Sequence, residues 1–179
     1  WSPQSDSFEF QVNVKDHPTT RRGILSVVSS FYDPLGFIAP VILPARTILQ
    51  DLCKLKLGWD EKIPPEHERK WQQWLREIPG ISDLKIPRCF VPHDFGCLNT
   101  TQLHHFSDAS ELGYGTVSYL RFKNQREEVH CSLVTSKSRV APLKKVTIPP
   151  LELTAATVAV KVNHMIQTEL DFTAVSYTH

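Results

Sequence analysis

Apolar positions in the first part of the chain recur at spacings that distinguish a strand from helices. Over residues 8–14 apolar and polar residues alternate, which predicts a half-buried strand. Three later stretches repeat their apolar residues every three, four or seven positions. This spacing predicts amphipathic helices from about Arg21 to Tyr32, Pro44 to Lys56 and Glu66 to Ile78. The first half of the chain is therefore expected to be mostly helical.

Local signals mark where these helices begin and end. Thr19 or Thr20 can cap the first helix, and Asp33 ends it because a residue that precedes a proline avoids the helical conformation. Pro64-Pro65 starts the third helix and Pro79-Gly80 stops it. The side chains expected to be buried are Ile24, Leu25, Val28, Phe31 and Tyr32 in the first helix, Ile48, Leu49, Leu52 and Cys53 in the second, Trp71, Trp74, Leu75 and Ile78 in the third, and Trp59 in the turn 58–60.

The second half of the chain changes to the pattern of a small sheet. Residues 81–99 contain prolines and little periodicity, which indicates a connector. The order of elements predicts an α+β protein, with a helical region over residues 1–98 and a β-β-β-α-β unit with a mixed sheet over residues 99–179. The predicted elements of this unit are strands at Gln102–Asp108, Tyr114–Arg121 and Glu128–Ser136, a basic loop at Lys137–Thr147, a helix from about Pro149 to Leu170 and a strand at Phe172–Tyr177.

Composition places the chain among ordinary globular proteins. Its 179 residues suffice for one large domain or two small ones, and 41% hydrophobic with 22% charged residues argues against disorder. The formal net charge of +1 excludes a strongly basic tail but allows a local basic surface. No apolar run approaches the roughly 18 residues of a membrane span, so we expect no membrane partner.

The cysteines and the chain ends add two expectations. No pair of the four cysteines has CxxC spacing, so structural zinc is not expected. Without a secretory signal in view, the thiols should be free, buried and reduced, as in an intracellular protein. The sequence begins at Trp1 rather than at methionine and stops within a predicted strand, which favours a piece of a longer polypeptide.

Two carboxylates carry the candidate chemistry. Asp108 ends the first strand of the β-β-β-α-β unit, and Glu152 lies in the first turn of the helix that Pro149-Pro150 begins. A right-handed crossover would bring that helix start near the end of the strand. Two close carboxylates repel each other unless a cation or a proton lies between them, and Mg²⁺ or Mn²⁺ suits oxygen ligands best. The alternative is an ordinary hairpin, in which Asp108 and Ser110 form the turn and the next two glycines supply positive φ.

Four segments carry a resemblance to a known family. The segment HHFSDASELGYGTVSYLR, residues 104–121, resembles the opening strands of the ribonuclease H domain of BEL/Pao-class LTR retrotransposons. VTIPPLELTAATVAV, residues 146–160, is similar to the first helix of that domain. Upstream, TTRRGILSVVSSFYDPLGFIAPVILPARTILQDLC and GWDEKIPPEHERKWQQWL resemble the same Pol polyproteins. There they look like the thumb and connection that follow the reverse-transcriptase palm.

The resemblance implies a function in reverse transcription. Asp108 matches the first catalytic aspartate of the family and Glu152 its helix glutamate, both as ligands of Mg²⁺ or Mn²⁺. The intact parent would bind template–primer, together with the remainder of the Pol polyprotein, in the cytoplasm or a virus-like particle. It would hydrolyse the RNA strand of RNA–DNA hybrids with two ions about 4 Å apart.

Departures from the family pattern bear on activity. The family usually has arginine where this chain has Pro150. The third carboxylate is expected at the end of the last strand, where either His179 replaces it or the sequence ends out of register just before it, and the fourth is expected later still. We therefore expect no ribonuclease or polymerase activity from these 179 residues alone. A nucleic-acid-binding module or a decayed remnant is the alternative.

A peptidase is a further alternative, because this kind of region is also described as a Pao retrotransposon peptidase. Aspartic proteolysis requires an Asp-Thr-Gly or Asp-Ser-Gly loop, so that two aspartates share one proton. Neither tripeptide occurs in the sequence, which disfavours this alternative.

Basic residues define two candidate surfaces for the phosphate backbone of template and primer. The alternative is a pair of solvated faces, and a steep loss of affinity with salt would distinguish the two. The first surface comprises Arg21, Arg22, Arg46, Lys54 and Lys56 on the helices, and the second comprises Lys137, Arg139, Lys144 and Lys145.

Overall fold

The computed structural model describes residues 1–12, 17–144 and 146–170, together with the backbone of residues 175–178. Within these residues a helical half precedes a four-stranded sheet and one long helix, which confirms the predicted α+β order. The helices are α1 (Arg21–Ser30), α2 (Ala39–Lys54), α3 (Pro65–Glu77) and α4 (Ile148–Glu169), and the strands are β1 (Ser7–Glu9), β2 (Lys85–Pro87), β3 (Leu98–Ala109), β4 (Gly113–Asn124), β5 (Val129–Val140) and β6 (Val175–Thr178).

Helix α1 begins where its capping residue predicts. The Thr20 side chain accepts a hydrogen bond from the Gly23 N–H at 3.2 Å, which satisfies one of the free donors of the first turn. Leu25 and Tyr32 are exposed rather than buried as predicted, because the helix stops at Ser30 and turns a narrower face inward. That inward face consists of Ile24, Val27 and Val28.

Helices α1 to α3 enclose the first of two hydrophobic cores. The tryptophan stripe predicted on α3 is confirmed, since Trp71 and Trp74 are buried with their ring centres 5.0 Å apart. The Trp74 indole N–H donates to the Val41 carbonyl of α2 at 2.8 Å, which satisfies the one polar atom of this side chain. The other buried members include Ile24, Ile38, Ile42, Ile48, Leu52, Ile63, Ile78 and Ile81.

Helix α2 begins at Ala39, five residues before the proline at which the sequence placed its start. Both carboxylate oxygens of Asp33 accept backbone N–H groups, from Phe37 and Ile38, at 2.9 Å each. This carboxylate organises the turn that leads into the helix, so the helix forms upstream of Pro44. The proline lies inside α2 and removes a single backbone hydrogen bond.

The N-terminal strand is shorter than the alternating sequence pattern predicted. Only Ser7–Glu9 is a strand, and it pairs antiparallel with Lys85–Pro87, which the sequence left in the connector. The end of the predicted strand, residues 13 and 14, lies outside the described residues. The ribbon is fastened by Asp6, whose carboxylate accepts two hydrogen bonds from Arg88 at 2.6 and 3.0 Å. These bonds, together with one from the Trp1 indole N–H, lower the pKa of Asp6 to about 2.

The larger sheet has the strand order β5-β4-β3-β6, with β6 parallel to β3 and the other pairs antiparallel. Helix α4 connects β5 to β6 and packs on β3 and β4. The predicted last strand is present at Val175–Thr178, and residues 172–174 lie outside the described part of the chain. The second core comprises Leu103, Leu120, Phe122, Val134, Val162 and Ile166, with Phe90, Val91 and Phe95 of the connector packed against it.

Strand β5 corrects the prediction of a basic loop over Lys137–Thr147. The strand continues to Val140, which pairs with Gly113, so Lys137 and Arg139 lie on a strand. Their pairing partners on β4 are Thr116 and Tyr114. A run of polar residues without apolar alternation gave no strand signal, and the hydrogen bonds of the neighbouring strand decided the conformation.

The cysteines follow the prediction in part. All four are free, as expected. Cys97 and Cys131 are exposed, whereas burial was expected.

The helical half docks on the outer edge of β5 through the segment 33–39. This segment accepts hydrogen bonds on its backbone carbonyl groups from the polar residues of the strand. The bonds are Ser136 N–H to Leu35 at 2.8 Å, Thr135 Oγ1 to Leu35 at 2.6 Å, Ser136 Oγ to Gly36, Ser138 Oγ to Ala39 at 3.0 Å and Lys137 Nζ to Pro34 at 3.3 Å. Hydrogen bonds from polar residues of an edge strand thus hold the two halves together.

Replacing Gly36 by alanine should destabilise the protein by roughly 2–4 kcal/mol. Gly36 has φ +78°, and an added Cβ would lie 1.9 Å from the Ser136 carbonyl oxygen, so the docked segment must move. The matched control is Gly80→Ala, since a Cβ there meets nothing within 4 Å. Urea unfolding followed by tryptophan fluorescence measures both variants. Equal stability of the two would contradict the tight docking described here.

Candidate functional site

Asp108 is the penultimate residue of β3, as the sequence predicted for a strand-end carboxylate. It is exposed, and its Oδ1 accepts the Ala109 N–H at 2.8 Å. The turn that follows is built by Ser110, whose N–H and Oγ both donate to the Gly113 carbonyl, at 2.8 and 3.2 Å. Ser110 therefore has the turn-forming role of the alternative interpretation, whereas Asp108 leaves one carboxylate oxygen with no hydrogen bond in the described structure.

The two glycines after this turn have a packing role. Neither Gly113 nor Gly115 has positive φ, so this part of the alternative hairpin interpretation was wrong. A Cβ on Gly113 would lie 2.6 Å from the Arg139 carbonyl oxygen, and one on Gly115 would lie 2.8 Å from that of Lys137. The missing side chains let β5 approach β4 closely beside Asp108.

Glu152 lies in the N-terminal part of α4, and the chain topology brings that end of the helix to the Asp108 end of the sheet. β5 runs in the same direction as β3, and α4 returns from the end of β5 to the start of β6. The position of α4 along the strand direction is marked by Asn163, whose Oδ1 lies 3.0 Å from the His105 Nε2 on β3. From Asn163 back to Glu152 the helix rises about 16 Å, and from His105 to Asp108 the strand advances about 10 Å. The two carboxylates thus belong to the same end of the sheet.

The side chains of Asp108 and Glu152 lie on different sides of the sheet. Side chains alternate along a strand, so Asp108 leaves β3 on the face opposite to His105, which faces α4. On that face Asp108 borders a cleft of ≈ 660 Å³, together with Phe106 and Tyr119 of the sheet and Phe37 of the helical half. Glu152 is exposed on the helix side.

The donor chemistry suits a hard divalent cation. In the described part of the chain no group of three or more His, Cys, Asp or Glu side chains is arranged to hold a metal ion. Mg²⁺ commonly binds through one or two carboxylates and completes its shell with water and substrate phosphates. Asp108 and Glu152 are the two carboxylates of this kind considered at this end of the sheet.

Two residues of the first candidate basic surface, Arg21 and Arg22, form contacts within the helical half. Arg21 donates to the Leu57 carbonyl at 2.9 Å and places its guanidinium 4.1 Å from the centre of the Trp59 ring. Arg22 forms a two-bond ion pair with Asp60 at 2.7 and 3.0 Å, which raises the pKa of Arg22 and lowers that of Asp60. Trp59 is 45% exposed, so its predicted burial was wrong, and this tryptophan is instead covered by arginine.

The second candidate surface follows β5 and the segment after it. Lys137, Arg139 and Lys144 are all exposed. Lys145 lies outside the described residues. Arg46, assigned from the sequence to the helical surface, is also exposed and lies beside Lys137 in a small cleft between α2 and β5.

His105 is a central polar residue whose partners the sequence did not reveal. The side chain is fully buried, and its Nδ1 lies 2.7 Å from Ser118 Oγ while its Nε2 lies 3.0 Å from Asn163 Oδ1. Burial lowers the pKa of His105, and the hydrogen bond to Asn163 opposes this effect. A serine, histidine and asparagine in line resemble a hydrolytic triad, but a nucleophile needs access to substrate, and Ser118 is also fully buried. The three residues therefore join α4 to the sheet. Alternation from Leu103 along β3 was the signal that could have predicted the burial of His105.

The strand order, the parallel outer strand and the helical crossover define an α+β domain of the RNase H-like class. In agreement, the chain matches the family model described as Pao retrotransposon-like RNaseH-like domain over residues 20–179, and it belongs to that family. The match starts at the cap of α1, so it includes both hydrophobic cores. None of the curated proteins compared with the chain matches it. In the described residues no helix is long and apolar enough to cross a membrane.

Stability should fall as the pH drops below about 6.5, because the lowered pKa of His105 means that the folded state binds fewer protons than the unfolded state there. His105→Gln should remove this pH dependence and cost roughly 1–3 kcal/mol at pH 7.5, since it disturbs buried hydrogen bonds. His164→Gln on the exposed side of α4 is the control. Unfolding midpoints measured from pH 5 to 8 test the prediction, and a parallel pH profile for His105→Gln and the parent would contradict it.

Proposed function

We propose that this chain is the part of a retrotransposon Pol polyprotein that holds an RNA–DNA hybrid and contributes two carboxylates to its hydrolysis. What supports the proposal is the meeting of three chain segments at one end of the sheet. The tip of β3 carries Asp108, the start of α4 carries Glu152, and β6 runs parallel to β3 toward the same end. Membership of an RNaseH-like retrotransposon family gives this end its nucleic-acid context.

Asp108 and Glu152 are the residues that would hold Mg²⁺ or Mn²⁺. When bound, such an ion supplies charge stabilisation at the phosphate and activates water. Asp108 offers an exposed carboxylate on a strand tip that is held by its own β-turn, so its position is fixed by backbone. Glu152 offers an exposed carboxylate on a helix whose level is fixed by Asn163 and His105. The hybrid would complete the coordination with its own phosphate oxygens.

The helical half would act as the thumb or connection that follows the polymerase palm in the parent polyprotein. Its role would be to position template–primer over the sheet. Support comes from the docking of segment 33–39 on β5, which joins this half to the sheet through several hydrogen bonds. A substrate held by the helices would then keep a defined position relative to Asp108.

A labelled RNA–DNA hybrid should bind with an affinity that falls about 40-fold between 50 and 200 mM salt if three phosphates are contacted. The reason is the release of counterions when lysine and arginine side chains neutralise phosphates. Fluorescence anisotropy measures the affinity at four salt concentrations. A flat salt response, or no binding at 50 mM salt, would contradict the proposed function.

Mn²⁺ binding, measured by calorimetry, should weaken about 10-fold or more in Asp108→Asn and in Glu152→Gln. The double variant should bind Mn²⁺ more weakly than either single variant, but by less than the product of the two single losses, because both carboxylates hold one ion. Glu169→Gln, at the opposite end of α4, is the matched control and should bind Mn²⁺ like the parent. If only one of the two variants changed the affinity, the residues would not share an ion, and a binding module without a hydrolytic site would replace the proposal.

A further inference from the structure

A small cleft of ≈ 190 Å³ lies where the helical half meets the edge of the sheet. It brings together Arg46 from α2 and Lys137 from β5, two cations that are far apart in the sequence. Asp33, Ser136 and Ser138 supply the other polar groups of its lining. The two surfaces of basic residues expected from the sequence thus meet at this cleft.

The hydrogen bonds of the lining groups determine what the cleft can bind. Both carboxylate oxygens of Asp33 already accept backbone N–H groups at 2.9 Å. The hydroxyl groups of Ser136 and Ser138 donate to backbone carbonyl groups of the docking segment. These three side chains are therefore committed to the fold.

The two cations still have donors to offer. Lys137 gives one hydrogen bond, to the Pro34 carbonyl at 3.3 Å, and an ammonium group carries three donors. Arg46 forms no ion pair with any described residue, and its guanidinium carries five donors. Both side chains are exposed, so a ligand can reach them. The cleft therefore suits an anion that has several acceptor oxygens.

The position of Lys137 points to the source of that anion. Lys137 also lines the larger cleft that contains Asp108. Asp108 pairs with Gly115, which pairs with Ser138, so Lys137 adjoins the residue that lies two strands, about 10 Å, across the sheet from Asp108, and its side chain leaves β5 on the opposite face. Because β5 is the edge strand and Lys137 Nζ reaches the Pro34 carbonyl, a polynucleotide that leaves the larger cleft over β5 would bring a neighbouring phosphate to Lys137.

We propose that Arg46 and Lys137 together hold one backbone phosphate of the bound nucleic acid at the seam between the helical half and β5. The inference rests on the proposed function and names the contact by which the two halves share the substrate. Arginine contributes a planar fork for two phosphate oxygens, and lysine contributes a point charge. Because the residues come from different halves, the site exists only when segment 33–39 is docked.

The test is hybrid affinity, measured by fluorescence anisotropy at 100 mM salt with the full chain. Arg46→Gln and Lys137→Gln should each weaken binding about 5- to 10-fold and reduce the salt slope by about 1. The double variant should lose less than the product of the two single losses, because both side chains act on one phosphate. The variants Arg46→Lys and Lys137→Arg keep the charge and should retain most of the affinity.

Arg69→Gln is the matched control, because it removes one positive charge from the exposed side of α3. It should bind like the parent, and thermal unfolding of every variant reports whether the fold is intact. Binding by the parent with unchanged affinity in Arg46→Gln and Lys137→Gln would overturn this inference and leave the proposed function in place. Losses that multiply in the double variant would overturn the shared phosphate. No binding by the parent would overturn both proposals.

Discussion

The contact on which the structure depends is the row of hydrogen bonds between segment 33–39 and the edge of β5. It consists of backbone carbonyl groups on one side and serine, threonine and lysine donors on the other. Each hydrogen bond contributes only about 1 kcal/mol net, but a buried carbonyl group left without a partner costs more, so losing the docked arrangement is costly. It joins two hydrophobic cores that have separate members, and it leaves two clefts along the seam.

Within the sheet unit, a second polar contact determines the geometry of the candidate site. His105 links Ser118 on β4 with Asn163 on α4, and all of this lies in a mostly apolar layer. A buried histidine must keep both hydrogen-bond partners, so this network adds a directional constraint to the close packing of the apolar side chains. The position of α4 along the sheet is therefore held by this polar network together with the hydrophobic packing of the second core.

The basic residues show how the same side-chain type takes different roles in one fold. Arg21 and Arg22 are committed to Trp59 and Asp60, where they close the turn after α2. Arg46 and Lys137 are exposed, and Lys137 gives one hydrogen bond, to the Pro34 carbonyl. Burial and pairing, which differ at each position, separate a structural arginine from one available to a phosphate. Net charge, at +1 for the whole chain, does not reveal this difference.

The sequence by itself determined the elements whose signals are local. The cap of α1, the tryptophan stripe of α3, the β-β-β-α-β order and the placement of Asp108 at a strand end all follow from residue spacing. Only the tertiary structure decided the early start of α2, the extension of β5 through Lys137, the pairing of β1 with β2 and the partners of His105. Each of these depends on a group that is distant in the chain, and spacing along one segment carries no information about such a partner.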